Sequence, residues 1–373
     1  MRYRRFGKTN LDLSVFSLGT MRYLASPENA YLTIKKAISL GINHIETAQG
    51  YGQSESFLGV AILGGLSLER WQFYITTKIT PNSNPDVLEK KIDQSLKRLN
   101  LDYLDCLAIH GINTREHLEQ TLQGLSGVKK AIADGRVHHL GFSTHAPLEV
   151  ILSAIKTDLF EFVNLHYYYF FQRNASAIEL AAQKDMGIFI ISPTDKGGQL
   201  YAPPATLKKL CDPISPLILN YRFLLNDQRI TTLSLGAATP DELDESLEVA
   251  NQEIELTPEE ITIFNKLETQ KIERLGTTKC SQCNQCLPCP EQINIPEVLR
   301  LRNLALAYDM IEFGKYRYQM FENAGHWFPG NKAHRCNNCG DCLPRCPEQL
   351  DIPSLLKQTH ELLKGTERKR LWE

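Results

Sequence analysis

Eight of the ten cysteines lie in two runs near the end of the chain, at spacings that suit iron–sulfur chemistry. Each run places its first three cysteines three residues apart and ends on a cysteine followed by proline. The second run matches in full the C-x2-C-x2-C-x3-C-P pattern of bacterial proteins with two [4Fe–4S] clusters, whereas the first has x2 before its last cysteine. The two runs are Cys280, Cys283, Cys286 and Cys289, and Cys336, Cys339, Cys342 and Cys346.

The spacing also predicts how the two runs share their ligands. Three thiolates three residues apart wrap one face of a cubane cluster, and the fourth cysteine reaches the other cluster. The alternative is zinc, but zinc sites use separated C-x2-C pairs with four ligands each, which two uninterrupted runs fit poorly. We therefore predict one [4Fe–4S] cluster on Cys280, Cys283, Cys286 and Cys346, and a second on Cys336, Cys339, Cys342 and Cys289.

The 46 residues between the two runs, 290–335, have a helical pattern, as in IPEVLRLRNLALAYDMIEFGKYRYQMF. A compact ferredoxin built from two hairpins would have a shorter linker that contains strands. The sequence therefore predicts a C-terminal, mainly α-helical 4Fe-4S ferredoxin-type domain.

A second set of reactive side chains, Glu46, Tyr51, Lys78 and His110, lies in the segments HIETAQGYGQSE, ITTKI and CLAIHG. A tyrosine hydroxyl can donate a proton to a developing alkoxide, a nearby ammonium lowers the tyrosine pKa, and a carboxylate holds the ammonium in place. A histidine can orient the carbonyl by donating a hydrogen bond. Each residue alone could be structural, as a snorkelling lysine or a satisfied core histidine. Brought together, the four predict carbonyl reduction.

The elements that must position these residues alternate between short β-branched runs and longer amphipathic ones. Eight strands followed by helices predict a (β/α)₈ TIM barrel, whose chemistry lies at the C-terminal ends of the strands. The alternative, an open doubly wound sheet, usually shows an early G-x-G-x-x-G, which this sequence lacks. A hairpin over 2–13 precedes the barrel. The predicted strands are 15–20, 43–48, 73–79, 103–110, 139–144, 162–167, 188–193 and 231–237, and the predicted helices are 28–40, 55–63, 85–99, 116–134, 148–157, 175–185, 215–225 and 242–250.

Length and composition limit the classes of protein to which the chain can belong. Its 373 residues, 42% apolar and 23% charged, are globular in composition and too many for one ordinary domain. We expect a barrel over 1–267, a linker over 268–279 and the iron–sulfur domain over 280–373. A net charge of −2 gives no basic field for nucleic acid, and no apolar run is long enough to span a membrane. Without a secretory signal, and with clusters that need a reducing compartment, we expect a cytoplasmic protein.

The barrel half resembles an aldo/keto reductase over about residues 1–265. RYRRFGKTNLDLSVFSLGTM resembles the opening hairpin and first strand of that family, and GINHIETAQGYGQSE its segment with the catalytic tyrosine. The resemblance implies NADPH-dependent carbonyl reduction with Tyr51 as general acid, Lys78 as its partner and His110 as the carbonyl-orienting residue. It places Ser143 and Asn164 at the nicotinamide carboxamide. The remaining implied cofactor-binding residues are Gly19, Thr20, Thr144 and Ser192, with Gly236 and Glu245 at the adenosine end.

Three positions depart from the family pattern. The family's aspartate is Glu46 here, whose longer side chain must shift Lys78 or bend away. Ile191 stands where the family often has an aromatic residue that stacks on nicotinamide. Ala238 stands where an arginine commonly grips the 2′-phosphate, and loss of such a charged contact costs about 1.5–3 kcal/mol.

The cysteine half resembles the C-terminal extension of a subgroup of aldo/keto reductases, in which a CxPCP-like first run is usual, as in Cys286-Leu-Pro-Cys289-Pro290. Three functions follow for the whole chain. The first is an enzyme that reduces a small-molecule carbonyl with NADPH and carries two [4Fe–4S] clusters as structural or modulatory groups. The second is an electron-transfer protein whose clusters pass single electrons between a partner such as ferredoxin and a substrate in the barrel. The third is a redox-sensing scaffold without catalysis.

Overall fold

The computed structural model describes residues 1–22, 26–66, 68–252 and 255–366, without the side chains of residues 245 and 246. The chain forms two compact units. The first comprises Met1–Gly197 and Asn220–Glu255, and the second Gly198–Leu219 and Leu256–Glu373. Each unit is described by itself below.

The first unit is built on a closed barrel of eight parallel strands, which confirms the predicted barrel. Each strand pairs with the next along the chain, and the last pairs with the first. A two-stranded antiparallel hairpin, β1 (Tyr3–Arg5) and β2 (Asp12–Ser14), precedes it as expected. The barrel strands are β3 (Phe16–Gly19), β4 (His44–Glu46), β5 (Tyr74–Ile79), β6 (Leu104–Ile109), β7 (Val137–Ser143), β8 (Phe162–Leu165), β9 (Gly187–Ile190) and β10 (Thr232–Leu235).

Helices follow the strands, and capping residues mark their ends. Asn84 caps the helix that Pro85 begins, and Asn100 in the left-handed region ends it. The apolar positions of that helix, Leu88, Ile92 and Leu99 among them, are buried at three- and four-residue spacing. The helices of this unit are α1 (Pro27–Ser39), α2 (Ser54–Leu63), α3 (Pro85–Leu99), α4 (Arg115–Ala133), α5 (Leu148–Lys156), α6 (Ala175–Gln183), α8 (Pro216–Asn226, which begins in the second unit) and α9 (Asp244–Leu247).

The last helix of the barrel differs from its prediction. Instead of one helix over 242–250, the chain forms a 3₁₀ turn over Pro240–Leu243 and the four residues of α9. Pro240 stands at the start of the 3₁₀ turn, where its fixed φ suits the first helical turn. A longer helix comes later, at α10 (Pro258–Leu275), and it includes the first eight residues of the segment predicted as a linker.

The hairpin contributes to a core cluster shared with the barrel strands. Phe6 from the hairpin loop and Leu13 from β2 are fully buried with side chains from β6, β8 and β9. Gly7, with φ +54°, forms a bridge to Met186, where a Cβ would lie 2.4 Å from the Met186 carbonyl carbon. Only glycine fits this close approach. The cluster is formed by Phe6, Leu13, Cys106, Ala108, Phe162 and Phe189.

A buried layer of polar side chains crosses the barrel interior. His44 Nδ1 and the Ser17 hydroxyl are hydrogen-bonded at 2.6 Å, and His44 Nε2 and the Thr76 hydroxyl at 2.7 Å. The Ser17 hydroxyl also meets that of Thr232 at 2.7 Å. Burial, with the charge of Lys78, lowers the His44 pKa to about 3, so this histidine is neutral in the folded protein.

The second unit is mainly α-helical, as predicted. α10 packs on α7 and α11, and the Tyr308 hydroxyl donates to the Leu267 carbonyl at 3.0 Å. The aromatic residues Tyr318, Phe321 and Phe328 form part of its core. Its helices are α7 (Ala205–Cys211), α10, α11 (Ile295–Tyr308), α12 (Ile311–Tyr318) and α13 (Ile352–Leu363).

Candidate active site and iron–sulfur centre

Lys78 on β5 is the centre of a buried polar cluster at the C-terminal end of the barrel strands. Its ammonium pairs with the Glu46 carboxylate, donates to the Thr47 carbonyl at 2.9 Å and donates to the Tyr51 hydroxyl at 3.1 Å. Lys78 is 1% exposed and Glu46 3%. Because an ammonium has three donors, all of its hydrogens are used. The longer Glu46 side chain therefore reaches the ammonium, and Lys78 still contacts Tyr51.

The ionisation of the pair follows from burial and mutual attraction. Burial alone would lower the pKa of Lys78, but Glu46 and Tyr51 together raise it above its usual value. Burial raises the pKa of Tyr51, which the Lys78 charge only partly offsets. Tyr51 is therefore a neutral phenol at neutral pH, in the protonation state that a proton donor needs.

His110 follows β6 and stands beside the tyrosine. Its ring lies edge-on to the Tyr51 ring, with centroids 5.6 Å apart and an interplanar angle of 88°. The structure thus brings together Glu46, Tyr51, Lys78 and His110, which come from three segments of the sequence. This arrangement suits transfer of a proton from the phenol to an oxygen that both rings can reach.

Ser143 and Asn164, the candidate carboxamide ligands, are paired neighbours on β7 and β8. The Ser143 hydroxyl accepts from the Gly111 N–H at 3.1 Å. Asn164 is fully buried and donates from Nδ2 to the Glu46 carboxylate at 3.4 Å. Its Oδ1 atom has no hydrogen-bond partner among the described residues. A buried amide oxygen without a donor fits a ligand that supplies an N–H, as a nicotinamide carboxamide does.

Other candidate cofactor residues are already engaged with the protein. The Thr20 hydroxyl donates to the Glu46 carbonyl at 3.1 Å and accepts from Ser54 at 2.5 Å. The Thr144 hydroxyl donates to the Ile112 carbonyl at 2.8 Å. Gly19 packs so closely on β10 that a Cβ would lie 2.6 Å from the Ser234 hydroxyl, and Ser192 has φ +52°. These contacts shape the ends of the strands.

At the candidate adenosine end, the structure shows an arginine that the sequence analysis missed. The Arg22 guanidinium donates to the Gly236 carbonyl at 3.0 Å and pairs with Glu242 at 2.6 Å. The Glu242 carboxylate also accepts from the Ala238 N–H at 3.1 Å. Arg22 is far away in the sequence and belongs to no motif, so no local signal could have found it. The Glu245 side chain lies outside the described residues.

His166 and Tyr168, which follow β8, form a hydrogen-bonded chain with His145. The Tyr168 hydroxyl donates to the Ile191 carbonyl, so the hydrogen that it shares with His166 comes from Nδ1 of that ring. His166 Nε2 lies 2.9 Å from His145 Nδ1. Tyr167 instead stacks on Phe223, with centroids 5.6 Å apart.

In the second unit, cysteines from both runs line one cavity. Three of them come from the first run and Cys346 from the second. Burial raises the pKa of Cys280, with further upward contributions from Cys283 and Cys346. Burial, with the neighbouring thiols, raises the pKa of Cys286 to about 12. The four cysteines that line the cavity are Cys280, Cys283, Cys286 and Cys346, the set predicted for one cluster.

The other four cysteines also combine three thiols of one run with one thiol of the other. Burial raises the pKa of Cys342, and the thiols that add to this effect are Cys336, Cys339 and Cys289. In the described residues, no group of three or more His, Cys, Asp or Glu side chains is arranged to hold a single metal ion. The crossed arrangement of the thiols fits the ligation pattern of two [4Fe–4S] clusters.

The two lone cysteines are buried. Cys106 belongs to the core cluster, and burial raises its pKa. Burial also raises the pKa of Cys211 to about 12. Both are inert thiols in this environment.

The barrel, with its polar cluster at the strand ends, defines an oxidoreductase of the (β/α)₈ class. A profile of the aldo/keto reductase family matches residues 16–269, and the chain belongs to that family. A profile of the 4Fe-4S dicluster domain matches residues 279–351, so the chain also carries such a domain. The recognition of an aldo/keto reductase with a C-terminal iron–sulfur domain is confirmed.

Individual proteins are also similar to this chain. An uncharacterized oxidoreductase of Bacillus subtilis is 23% identical over 309 residues, 73% of this chain and 98% of its own. L-galactose dehydrogenase of Arabidopsis thaliana is 24% identical over 280 residues, 65% of this chain and 86% of its own. The holo form of an aldo-keto reductase from Bacillus halodurans, at 21% identity, superposes with a TM-score of 0.62 over 71% of this chain and 96% of that chain. No helix in the described ranges is long and apolar enough to cross a membrane.

Proposed function

We propose that the barrel reduces a small-molecule carbonyl with NADPH and that Tyr51 is the general acid. The observation that carries this proposal is the use of all three Lys78 hydrogens. Because Lys78 donates to the Tyr51 oxygen, the hydrogen of that hydroxyl is directed to an acceptor other than Lys78. A substrate carbonyl oxygen beside Tyr51 and His110 is such an acceptor.

The nicotinamide, when bound, supplies a hydride to the carbonyl carbon. Asn164 and Ser143 hold its carboxamide in this proposal. The Asn164 Oδ1 atom, which has no hydrogen-bond partner in the part of the chain that the structure describes, supports that assignment. His110 donates a hydrogen bond that orients the carbonyl. Tyr51 gives its proton to the oxygen as negative charge develops there, and the Lys78 ammonium stabilises the phenolate that remains. Glu46 keeps the ammonium charged and in place.

Replacement of the acid tests the proposal. Tyr51→Phe is expected to lower kcat for aldehydes and ketones by about 10²–10⁴ while the Kd for NADPH stays unchanged. Tyr74→Phe is the matched control, since Tyr74 begins the strand that carries Lys78 and is expected to keep the full rate. A Tyr51→Phe enzyme with unchanged kcat would overturn the assignment.

A second candidate function is electron transfer through the clusters. The observation in its favour is that one cysteine of each predicted set, Cys283 and Cys339, is exposed, where a partner such as a ferredoxin could approach. Nicotinamide gives two electrons as hydride, whereas a cluster accepts one, so this function needs a single-electron partner or a mediator.

The two candidates separate in an anaerobic titration of the holoprotein followed by EPR. Under the first, NADPH leaves the clusters oxidised and a reduced ferredoxin has no effect on turnover. Cluster reduction by a ferredoxin, coupled to consumption of a barrel substrate, favours the second. Reduction by NADPH alone contradicts the view that the clusters take no part in the hydride chemistry.

A further inference from the structure

Helix α11 holds the segment that leads into the first cysteine run. The Arg302 guanidinium donates to the Thr278 carbonyl at 3.3 Å and to the Thr278 hydroxyl at 3.1 Å. The next residue, Asn303, donates from Nδ2 to the Cys280 carbonyl at 3.0 Å. Arg302 is 5% exposed and Asn303 4%. Two consecutive residues of one helix therefore fix the backbone on both sides of Lys279.

Arg302 is buried without a carboxylate partner in the described part of the chain. Burial lowers its pKa, and an ionised Cys280 thiolate would oppose this effect. Arg300, one half-turn earlier on the same helix, shows the contrast, because Glu297 binds it through two contacts of 2.9 and 2.7 Å. A buried cation that no anion compensates is strongly unfavourable. Thiolates at the Cys280 site would provide the negative charge that compensates the Arg302 guanidinium.

A [4Fe–4S] cluster with four thiolate ligands carries net negative charge, and one-electron reduction adds another. Burial raises the free-energy cost of that added charge, whereas a fixed cation nearby lowers this cost. A negative charge, that of Glu348, acts in the opposite sense to Arg302. Glu348 lines the same cavity and raises the pKa of Cys280, although burial and the neighbouring thiols have larger effects on that pKa. An exposed anion, Glu348, thus lines the cavity, and a buried cation, Arg302, lies close to Cys280 through its contacts with Thr278.

We propose that Arg302 is a charge-compensating and positioning residue of the iron–sulfur centre bound through Cys280, and that its guanidinium raises the reduction potential of this centre. This inference rests on the proposed ligation by the crossed cysteine set. It does not depend on the role of Tyr51, so it and the carbonyl reductase proposal can fail separately.

The test is an EPR-monitored potentiometric titration of the full-length holoprotein under anaerobic conditions. Glu348→Gln first assigns the midpoints, because removal of this exposed anion raises the potential of the neighbouring centre only. Arg302→Gln is expected to lower the same midpoint by at least 59 mV, a tenfold change in the constant for one-electron reduction. Arg302→Lys, which keeps the charge, is expected to leave it unchanged. Arg274→Gln, in which an arginine of α10 is lost, is the control and leaves both midpoints unchanged.

Each outcome bears on the proposal. If Arg302→Gln binds its full iron with both midpoints unchanged, the proposal is wrong. If Arg302→Gln fails to bind iron, Arg302→Lys decides: full iron and a normal midpoint support a role for the charge. If Arg302→Lys loses iron, or if its constant for one-electron reduction falls tenfold, the guanidinium only holds the backbone. The proposed effect on the potential is then rejected.

Discussion

Lys78 Nζ lies 3.1 Å from the Tyr51 hydroxyl oxygen and pairs with Glu46 on its other side. The three side chains come from β4, the loop that follows it and β5. Glu46 and Lys78 are both buried, so each charge depends on the other. Because of this mutual dependence, a change at Glu46 should alter the charge of Lys78 and, through it, the environment of the Tyr51 hydroxyl.

Replacement of Glu46 by Gln should impair both stability and catalysis. Removal of one partner leaves the Lys78 charge buried and uncompensated, which typically costs about 3–5 kcal/mol of unfolding free energy. Glu46 raises the pKa of Lys78, so without it Lys78 loses its proton at lower pH. The alkaline limit of kcat is expected to move to lower pH. Tm measurements and pH–rate profiles check both effects, with Glu46→Asp, which keeps the charge, as the control. A Glu46→Gln profile that superposes on the wild-type profile would contradict the coupling.

Arg22 and Glu242 should have opposite effects on NADPH affinity. Their ion pair lies beside Gly236, the candidate adenosine position, with side chains 53% and 41% exposed. An arginine attracts a 2′-phosphate and a carboxylate repels it. Arg22→Ala is expected to weaken NADPH binding about tenfold, or about 1.4 kcal/mol, and Glu242→Gln to tighten it, with smaller effects on NADH.

Fluorescence titration with each nucleotide measures these changes. Arg5→Ala and Asp185→Asn are the matched controls, because that ion pair has similar exposure, 51% and 52%, and links β1 to the turn before β9. Equal changes for NADPH and NADH would exclude a role at the 2′-phosphate.

Double cysteine variants should reveal the crossed pairing. If Cys346 serves the same cluster as Cys283, then Cys346→Ser combined with Cys283→Ser removes no more iron than either change alone, about half of the eight iron atoms of a 4Fe-4S dicluster. Cys346→Ser combined with Cys339→Ser then removes both clusters. Iron and acid-labile sulfide analysis of anaerobically purified protein gives the result. The opposite pattern would mean that each run holds its own cluster.

His44 should make the barrel sensitive to mild acid. Its folded-state pKa is about 3, whereas a histidine in the unfolded chain titrates near its ordinary pKa of 6.5. Between these values the unfolded chain binds the extra proton, so stability falls as the pH drops below 6.5, by up to about 1.4 kcal/mol per pH unit.

His44→Gln is expected to flatten the dependence of Tm on pH between 7.5 and 5.5. His138→Asn, a substitution of an exposed histidine stacked on Tyr103, is the control and should keep the wild-type slope. A slope for His44→Gln equal to that of the control would show that another group is responsible.

Local patterns were sufficient for the architecture. The alternation of short β-branched runs with longer amphipathic runs predicted all eight barrel strands. Both patterns are visible within a few consecutive residues, because a buried strand is apolar on two faces and a packed helix on one. The prediction was weakest after the last strand, where the helix over 242–250 is a 3₁₀ turn and four residues of α9. It also missed α10, although Thr257, Pro258 and Glu260 form a recognisable capping box there.

The barrel, the iron–sulfur motifs and the candidate residues at the strand ends could all be predicted from the sequence, because each depends on spacing within a short segment. The contacts between side chains required the folded structure: Glu46 reaches Lys78, Arg22 pairs with Glu242 from 220 residues away, and Arg302 is buried beside Thr278. Such contacts depend on side-chain positions to within less than an ångström. Those positions are set by packing between distant segments, which no local pattern records.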